Sequence, residues 1–281
     1  MKNYILLLFE MKNYLLLLSL ALTCLLASCE KEIPIDYHQV EPLYVAEGMM
    51  TQDGTKVRIT TTQDVTDNTN NAHNVTNATV VLSCKKFADS ETLKYSGNGF
   101  YTTKWAGEPG VTYDLDIDVD GRHFHSSSTM QVKPVVNSFR FVWKKMLTER
   151  FLFGDLRIQD TPDENSYYFM HIYRNGLGYR WAVMSDDKNR NGELQQLFQC
   201  TTERDMDKGD SDALRDGDNI RLEIRSIDKL SYDYLYSMQV MDNAGTNPIA
   251  NFTGGCLGYF SAYYELSYIY TFYRSDVEED E

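Results

Sequence analysis

Alternating apolar and polar residues predict short β-strands over residues 43–133. Every second residue is apolar in residues 78–85 and 111–119, which is the period of a strand with one buried face. Asp53–Gly54 and Asp120–Gly121 are two-residue turn signals of the kind that join strands into hairpins. Turn signals recur about every eight to twelve residues, a spacing typical of a sandwich. We therefore predict a β-sandwich domain over residues 43–133.

Residues 134–273 form a second predicted domain, which begins after Lys133. Its strand signals are rich in tyrosine and phenylalanine, which favour pleated sheet. Apolar residues recur at helical spacing after residue 230, so we predict one helix over residues 231–241. The predicted fold class is therefore mainly β, with two domains and one helix. The predicted strands of the second domain span residues 138–144, 152–159, 167–173, 179–184, 219–227 and 263–273.

An apolar segment near the N-terminus predicts a secretory signal peptide. Lys12 precedes an apolar run over residues 14–26, which is followed by small residues and a cysteine. The run has about 13 residues, whereas a helix that spans a bilayer needs roughly 20. We predict a signal peptide over residues 1–28. Met11 is the better start, because residues 1–10 nearly duplicate the residues that follow them.

The end of this segment, Leu26-Ala27-Ser28-Cys29, resembles the bacterial lipobox. In proteins with that signal the cysteine thiol is diacylated, and the chain is cut before the cysteine. The new amine usually takes a third acyl chain, such as palmitate. This resemblance predicts lipidation of Cys29 and a lipidated linker over residues 29–42. Several acyl chains hold a protein on a membrane at about 0.8 kcal/mol per buried methylene.

Composition and charge limit the partners of the chain. The formal net charge is −14, and such a surface repels nucleic-acid phosphate and anionic lipid. We therefore predict no nucleic-acid partner. Residues 274–281 form an acidic tail, which we expect to be frayed.

Three cysteines remain once Cys24 and Cys29 are assigned to the signal segment. An exported chain permits disulfides, and Cys200 and Cys256 both lie in the C-terminal half. We take them as the candidate disulfide, with Cys84 as a buried thiol. Three buried thiols are the alternative, because cysteine also packs as a small hydrophobic residue.

Residues 187–194 match the first half of a calcium-binding EF-hand loop. Asp187, Asn189 and Asn191 stand at ligand positions, a glycine follows, and Glu193 comes next. The second half is missing, because Phe198 replaces the carboxylate that would bind calcium through both oxygens. Calcium is the candidate cofactor on this pattern. A turn between strands that is rich in asparagine and glycine is the alternative.

The sequence holds no recognised catalytic motif. It contains no GxSxG, no HExxH, no P-loop and no glycine-rich dinucleotide turn. Acidic residues are so common that no pair stands out as a glycosidase pair. We predict a protein that is not an enzyme.

Two further patterns allow binding. His123 and His125 share one strand face and could ligate a metal, but no third ligand is evident from the sequence. The carboxylates of residues 114, 116 and 118 form one strand face that we expect to be solvated. Calcium binding is the alternative, although carboxylates two residues apart on a strand are about 7 Å apart and need further ligands to share one ion. Aromatic residues can stack on sugar rings. The candidates for such stacking are Trp105, Trp143 and Trp181.

Several segments resemble a family of Bacteroidetes lipoproteins, the domain of unknown function 4249. The strongest is Asn251-Phe252-Thr253-Gly254-Gly255-Cys256-Leu257-Gly258-Tyr259-Phe260. Others are Ser28-Cys29-Glu30-Lys31-Glu32-Ile33, Tyr44-Val45-Ala46-Glu47-Gly48, Val75-Thr76-Asn77-Ala78-Thr79-Val80 and Pro109-Gly110-Val111-Thr112-Tyr113. The N-terminal pattern also resembles an immunoglobulin-like or transthyretin-like sandwich.

The family resemblance implies a place and a role. Members are commonly met beside TonB-dependent outer-membrane transporters, and acidic residues after the lipidated cysteine resemble an export signal to the outer membrane. We therefore expect a lipid-anchored accessory or binding protein of the outer membrane, on either face. It would capture a ligand or assemble with a TonB-dependent transporter. A free-standing surface protein that binds glycans is the alternative.

Overall fold

The computed structural model describes residues 41–63, 73–159, 165–186, 192–241 and 248–279. They all belong to one compact unit, Glu41–Glu281. The predicted signal peptide, Cys29 and most of the predicted linker lie outside the described residues.

Two kinds of element make up the described chain, and strands dominate. The strands are β1 (Tyr44–Thr51), β2 (Gly54–Thr61), β3 (Thr79–Cys84), β4 (Asp89–Thr92), β5 (Lys94–Gly97), β6 (Phe100–Thr103), β7 (Thr112–Val119), β8 (Arg122–Thr129), β9 (Val136–Met146), β10 (Glu149–Gln159), β11 (Tyr167–Arg174), β12 (Leu177–Ser185), β13 (Glu193–Thr202), β14 (Asn219–Ile227), β15 (Leu257–Ala262), β16 (Tyr264–Thr271) and β17 (Glu278–Glu279). The helices are α1 (Glu203–Lys208), α2 (Lys229–Met241) and a 3₁₀ turn (Arg274–Asp276). The predicted mainly β class is confirmed.

The first sandwich packs two sheets face to face. One sheet has the strand order β15-β1-β2-β6-β5 and the other the order β4-β3-β7-β8. Alternate residues such as Val57, Leu82 and Ile117 point into one shared core. The hairpins predicted at Asp53–Gly54 and Asp120–Gly121 are present as β1–β2 and β7–β8.

A late segment returns to this first sandwich. Strand β15 pairs in parallel with β1, with Gly258 opposite Ala46. The sequence pattern places residues 257–262 in the second domain, just before a predicted strand over residues 263–273. The chain instead divides that region between β15 in the first sandwich and β16 in the second. A pairing between residues about 200 positions apart leaves no local signal.

The second sandwich packs the sheet β13-β10-β9-β17 against the sheet β12-β11-β14-β16. Leu152 and Leu156 of β10 share a buried core with Ile172 of β11 and Leu222 of β14. Strand β14 has the predicted bounds 219–227.

Helix α2 confirms the one predicted helix and begins two residues earlier. Asp228 caps it, because its Oδ1 accepts a hydrogen bond from the Ser231 amide at 2.8 Å. The short helix α1 was not predicted. It begins at a Thr202 cap and ends at Gly209, whose φ of 70° suits a left-handed residue.

The acidic tail departs from the frayed segment that the sequence predicted. Arg274–Asp276 form a 3₁₀ turn, and β17 pairs in parallel with β9. Arginines provide the reason, because Arg140 pairs with Glu278 and Arg150 pairs with Glu279.

The predicted disulfide between Cys200 and Cys256 is not formed. Both residues, like Cys84, are buried free thiols. Cys256 lies in the first core because it precedes β15, whereas Cys200 lies in the second core. Burial raises the pKa of both thiols to about 12.

Polar contacts join the two sandwiches. Asp228 accepts hydrogen bonds from the Ser128 hydroxyl at 2.6 Å and from the Thr129 amide at 2.8 Å. The Ser128 hydroxyl in turn accepts a bond from the Ala262 amide at 2.8 Å. One carboxylate thus ties β8 and the start of α2 together, and Ser128 extends the link to β15.

Candidate functional site

The sheet β12-β11-β14-β16 has two chemically different faces. Alternate residues such as Met170 and Ile224 point into the second core. Their neighbours point outward and form a surface that we call the outer aromatic face. It consists of Trp181 of β12, His171 and Tyr173 of β11, and Arg221 and Glu223 of β14.

Strand register brings these five residues together. His171 lies opposite Trp181 on one side and opposite Glu223 on the other. Tyr173 lies opposite Arg221 in the next row. Directly opposed side chains on one sheet face lie within contact distance, so three strands contribute to one continuous surface.

The rings of this face stack on one another. The His171 and Tyr173 rings are stacked with centroids 3.9 Å apart. The Arg221 guanidinium carbon lies 3.7 Å from the Tyr173 ring centroid, which is a close cation–π contact. Trp181 packs on Phe169 at 6.0 Å and remains 39 % exposed. Water therefore reaches a tryptophan that packs against a neighbouring ring on the same face.

Buried charges lie beside the rings on the same face. Glu223 is only 3 % exposed, and it pairs with Arg221 at 2.5 Å and with Arg225. Arg225 also contacts Glu265 at 3.5 Å. Burial, together with the nearby Glu223 charge, raises the pKa of the Glu265 carboxyl. A buried carboxylate keeps its charge at reasonable cost only when such partners surround it.

Burial favours the uncharged form of His171. Burial lowers the pKa of its imidazole below the ordinary value of 6.5. Space for the ring comes from Gly178 on the adjacent strand, where an added Cβ would lie 3.0 Å from Nε2. A neutral imidazole has one ring nitrogen that donates and one that accepts.

Helix α2 closes one end of the face and leaves the other end open. The Tyr167 and Tyr232 rings lie 5.0 Å apart, and the Gln239 side chain accepts a bond from the Val183 amide at 3.1 Å. At the other end Leu177 and Ile269 are largely exposed. The outer aromatic face is therefore open to solvent at that end. It offers ring faces with polar groups beside them, as protein and sugar ligands require.

The predicted calcium loop lies mostly outside the described residues. This holds for Asp187, Asn189 and Asn191. Glu193 is described and bonds to protein partners instead. It accepts bonds from Asn137 and from Arg157, both at 2.9 Å. The bond from Asn137 first, and that from Arg157 second, lower the pKa of the Glu193 carboxyl.

The histidine pair on β8 contacts the acidic face of β7. His123 Nδ1 lies 2.9 Å from Asp118, and His125 Nδ1 lies 2.9 Å from Asp116. Asp116 and Asp118 therefore have histidine partners, and the Asp118 side chain is also exposed to solvent, as the sequence predicts. In the part of the chain that the structure describes, no group of three or more histidine, cysteine or acidic residues is arranged to hold a metal ion.

The three tryptophans have different environments. Trp143 is 4 % exposed in the second core, and Trp105 packs against the first core. Trp181 is the one of the three that contributes to the outer aromatic face. Sequence reasoning missed its neighbours on β11 and β14. The sequence signal for these neighbours is an alternation in which every second residue is aromatic or charged. These residues are at positions 169, 171, 173, 221, 223 and 225.

The motif over residues 251–260 serves the fold. Asn251 Oδ1 accepts bonds from the Ser126 hydroxyl at 2.6 Å and from the Phe260 amide at 2.8 Å. Gly258 has a φ of 92°, and an added Cβ would lie 2.0 Å from the Ala46 carbonyl oxygen. The motif therefore fastens the returning chain to the first sandwich.

The fold and the site define a class, a β protein of two sandwiches with an open aromatic face on the second. The chain belongs to the family described as domain of unknown function (DUF4249), whose model matches residues 30–269. A search of curated proteins found no match. Within the described residues, no helix has the length and apolar character required to cross a bilayer.

Proposed function

We propose that this protein is a lipid-anchored accessory protein of the outer membrane, in which the outer aromatic face binds a ligand or partner at a TonB-dependent transporter. The observation that carries the proposal is the exposed Trp181 beside the stacked pair of His171 and Tyr173. Aromatic residues are enriched where proteins bind partners.

The proposed location at the outer membrane rests on the sequence that precedes residue 41. Leu26-Ala27-Ser28-Cys29 resembles a lipobox, and acyl chains on Cys29 would tether the two sandwiches to the bilayer. In this proposal the protein binds and performs no chemistry. The transporter partner rests on the resemblance to lipoproteins that are met beside such transporters.

Co-purification from native membranes tests the proposal. The lipidated parent should bring down a TonB-dependent transporter, and the double variant Tyr173→Ala/Trp181→Ala should lose it. Phe87→Ala is the matched control, because Phe87 is an exposed aromatic residue on the first sandwich. Repeated absence of a transporter from the parent sample would contradict the proposal.

A free-standing glycan binder is the second candidate, and the exposure of Trp181 favours it as well. Tryptophan and tyrosine rings stack on the apolar faces of sugars. Calorimetric titration of the parent with a panel of soluble polysaccharides distinguishes the two candidates. Binding that Trp181→Ala removes, without any transporter in the membrane sample, would favour the glycan binder.

A further inference from the structure

The C-terminal segment over residues 273–279 covers part of a sheet edge. Strand β9 has 11 residues, and β17 pairs with it at Val142 and Trp143. The family match ends at residue 269, before this segment. An edge strand with free backbone groups can accept an added strand.

Arginines line this edge. Arg140 pairs with Glu278, and Arg150 pairs with Glu279. Arg274 lies within the segment itself and fastens it to Glu203 at 3.1 Å and to Asp207 at 2.7 Å, so it leaves the edge with the segment. Arg140 and Arg150 belong to the sheet and also contact Asp155 at 3.7 Å and Glu203 at 2.6 Å, and Lys144 and Lys145 of β9 add two further basic residues. The edge therefore selects acidic segments.

Trp143 contacts one arginine of the sheet, Arg150, and one arginine of the segment, Arg274. The guanidinium carbons of Arg150 and Arg274 lie 4.9 Å and 5.8 Å from its ring centroid. The tryptophan itself is 4 % exposed and belongs to the second core. Fixed guanidinium groups lose less entropy when they bind a carboxylate.

A cavity lies beside the segment. This cavity of about 200 Å³ is lined by aromatic residues at the edges of both sheets and by the segment itself. Its apolar lining includes Phe139, Phe141, Tyr270, Phe272 and Val277. A longer strand with apolar side chains could therefore contact more of this edge than the segment does.

The segment is weakly held. It forms a strand of two residues, and exposed ion pairs contribute little to stability. The segment nevertheless competes well for the edge because it is part of the same chain, and a tethered segment has an effective concentration of order mM. The tail of a second copy makes the same contacts without that advantage. An acidic strand of another protein that pairs with more of β9 would make contacts that the chain's own segment does not make.

We propose that the exposed edge of β9 is a docking site for an extended acidic segment of another protein, and that the chain's own C-terminal segment occupies this site until such a partner displaces it. The proposal goes beyond the proposed function, because it concerns a different sheet and a different surface.

Peptide binding tests the proposal. The full-length variant Glu278→Lys/Glu279→Lys should expel its own segment by charge repulsion from the arginines. A labelled peptide carrying Ser-Asp-Val-Glu-Glu followed by alternating valine and glutamate serves as the probe. In fluorescence anisotropy this variant should bind the peptide roughly tenfold more tightly than the parent does. A peptide with lysine in place of every glutamate should not bind.

Matched variants separate the site from general charge effects. Asp89→Lys/Glu91→Lys reverses two exposed acidic residues on β4, and it should bind the probe no better than the parent. Adding Arg140→Gln to the tail variant should weaken binding. If the tail variant does not fold by circular dichroism, hydrogen exchange of the parent replaces it. Excess peptide should then speed exchange of the residue 277–279 amides.

Three outcomes would overturn the proposal. The first is equal peptide affinity of the parent and the folded tail variant. The second is peptide binding that Arg140→Gln leaves unchanged. The third is a parent that dimerises through this segment in sedimentation, which would assign the edge to a second copy.

Discussion

The two sandwiches bury different kinds of polar group. Among the described residues, the buried polar side chains of the first sandwich are hydroxyls, such as those of Thr55 and Ser126. The second sandwich buries carboxylates. Asp155 has no exposed surface, and Glu223 is 3 % exposed. Each has arginine partners, at 3.3 Å from Arg157 for Asp155.

This difference separates the region that packing explains from the region that needs a further explanation. A buried hydroxyl needs one local hydrogen bond, whereas a buried ion pair is often no more stable than apolar residues of the same size. The first sandwich is explained by packing alone. The outer aromatic face, with buried charges beside an exposed tryptophan, is the surface that packing does not explain.

The largest expected loss of stability comes from a substitution at Gly258 in the first sandwich. Gly258→Ala should lower the free energy of unfolding by more than about 4 kcal/mol, because the new Cβ meets the Ala46 carbonyl oxygen at 2.0 Å. Gly255→Ala is the control. It has a similar φ of 83° with nothing within 4 Å, and should cost about 1–2 kcal/mol. Urea unfolding measures both, and equal losses would contradict this role.

Substitutions of two tryptophans compare the stability contributions of the second core and of the outer aromatic face. Trp143→Ala should destabilise the chain by about 3–5 kcal/mol, because it leaves a cavity in the second core. Trp181→Ala should cost about 1 kcal/mol or less, because its ring is 39 % exposed. Denaturant titrations of both variants test this. A large loss for Trp181→Ala would make the outer aromatic face structural.

The polar link between the sandwiches should have an intermediate effect. Asp228→Ala removes the cap of α2 and the acceptor for Ser128, so we expect a loss of about 1–2 kcal/mol. Asp233→Ala breaks an exposed pair with Lys229 on the same helix and should cost about 0.3–0.5 kcal/mol. Chemical denaturation compares them, and the reverse order would refute the link.

The smallest effect is the pH dependence that His171 contributes. Its folded pKa lies below the ordinary value of 6.5 because of burial. As pH falls through 6.5, the unfolded chain therefore binds a proton before the folded chain does, and stability is lost. His171→Phe should show a smaller fall in Tm between neutral and mildly acidic pH. Parallel Tm profiles for the variant and the parent would show that His171 is not buried in this way.

Much of the fold could be predicted because its signals are local. Strand alternation marked β3, β7 and β14, and spaced apolar residues marked α2. The return of β15 and the pairing of β17 could not be predicted, because both depend on partners far along the chain. The same reason explains the wrong disulfide, since the position of Cys256 follows from that of β15.

The candidate site was predictable only in part. Trp181 was a sequence candidate, but so were Trp105 and Trp143, and nothing local separates a buried tryptophan from an exposed one. The meeting of His171 with Glu223 depends on the register between β11 and β14. Register follows from the whole sheet, because a shift of one residue moves every side chain to the opposite face.

Site-specific photo-crosslinking tests the central claim most directly. A photoreactive phenylalanine analogue at position 181 should crosslink the lipidated protein to a TonB-dependent transporter in native membranes. The same analogue at position 87, an exposed aromatic site on the first sandwich, should give no such product. Equal crosslinking from both positions, or a transporter product from position 87 alone, would contradict the claim that the outer aromatic face binds the partner.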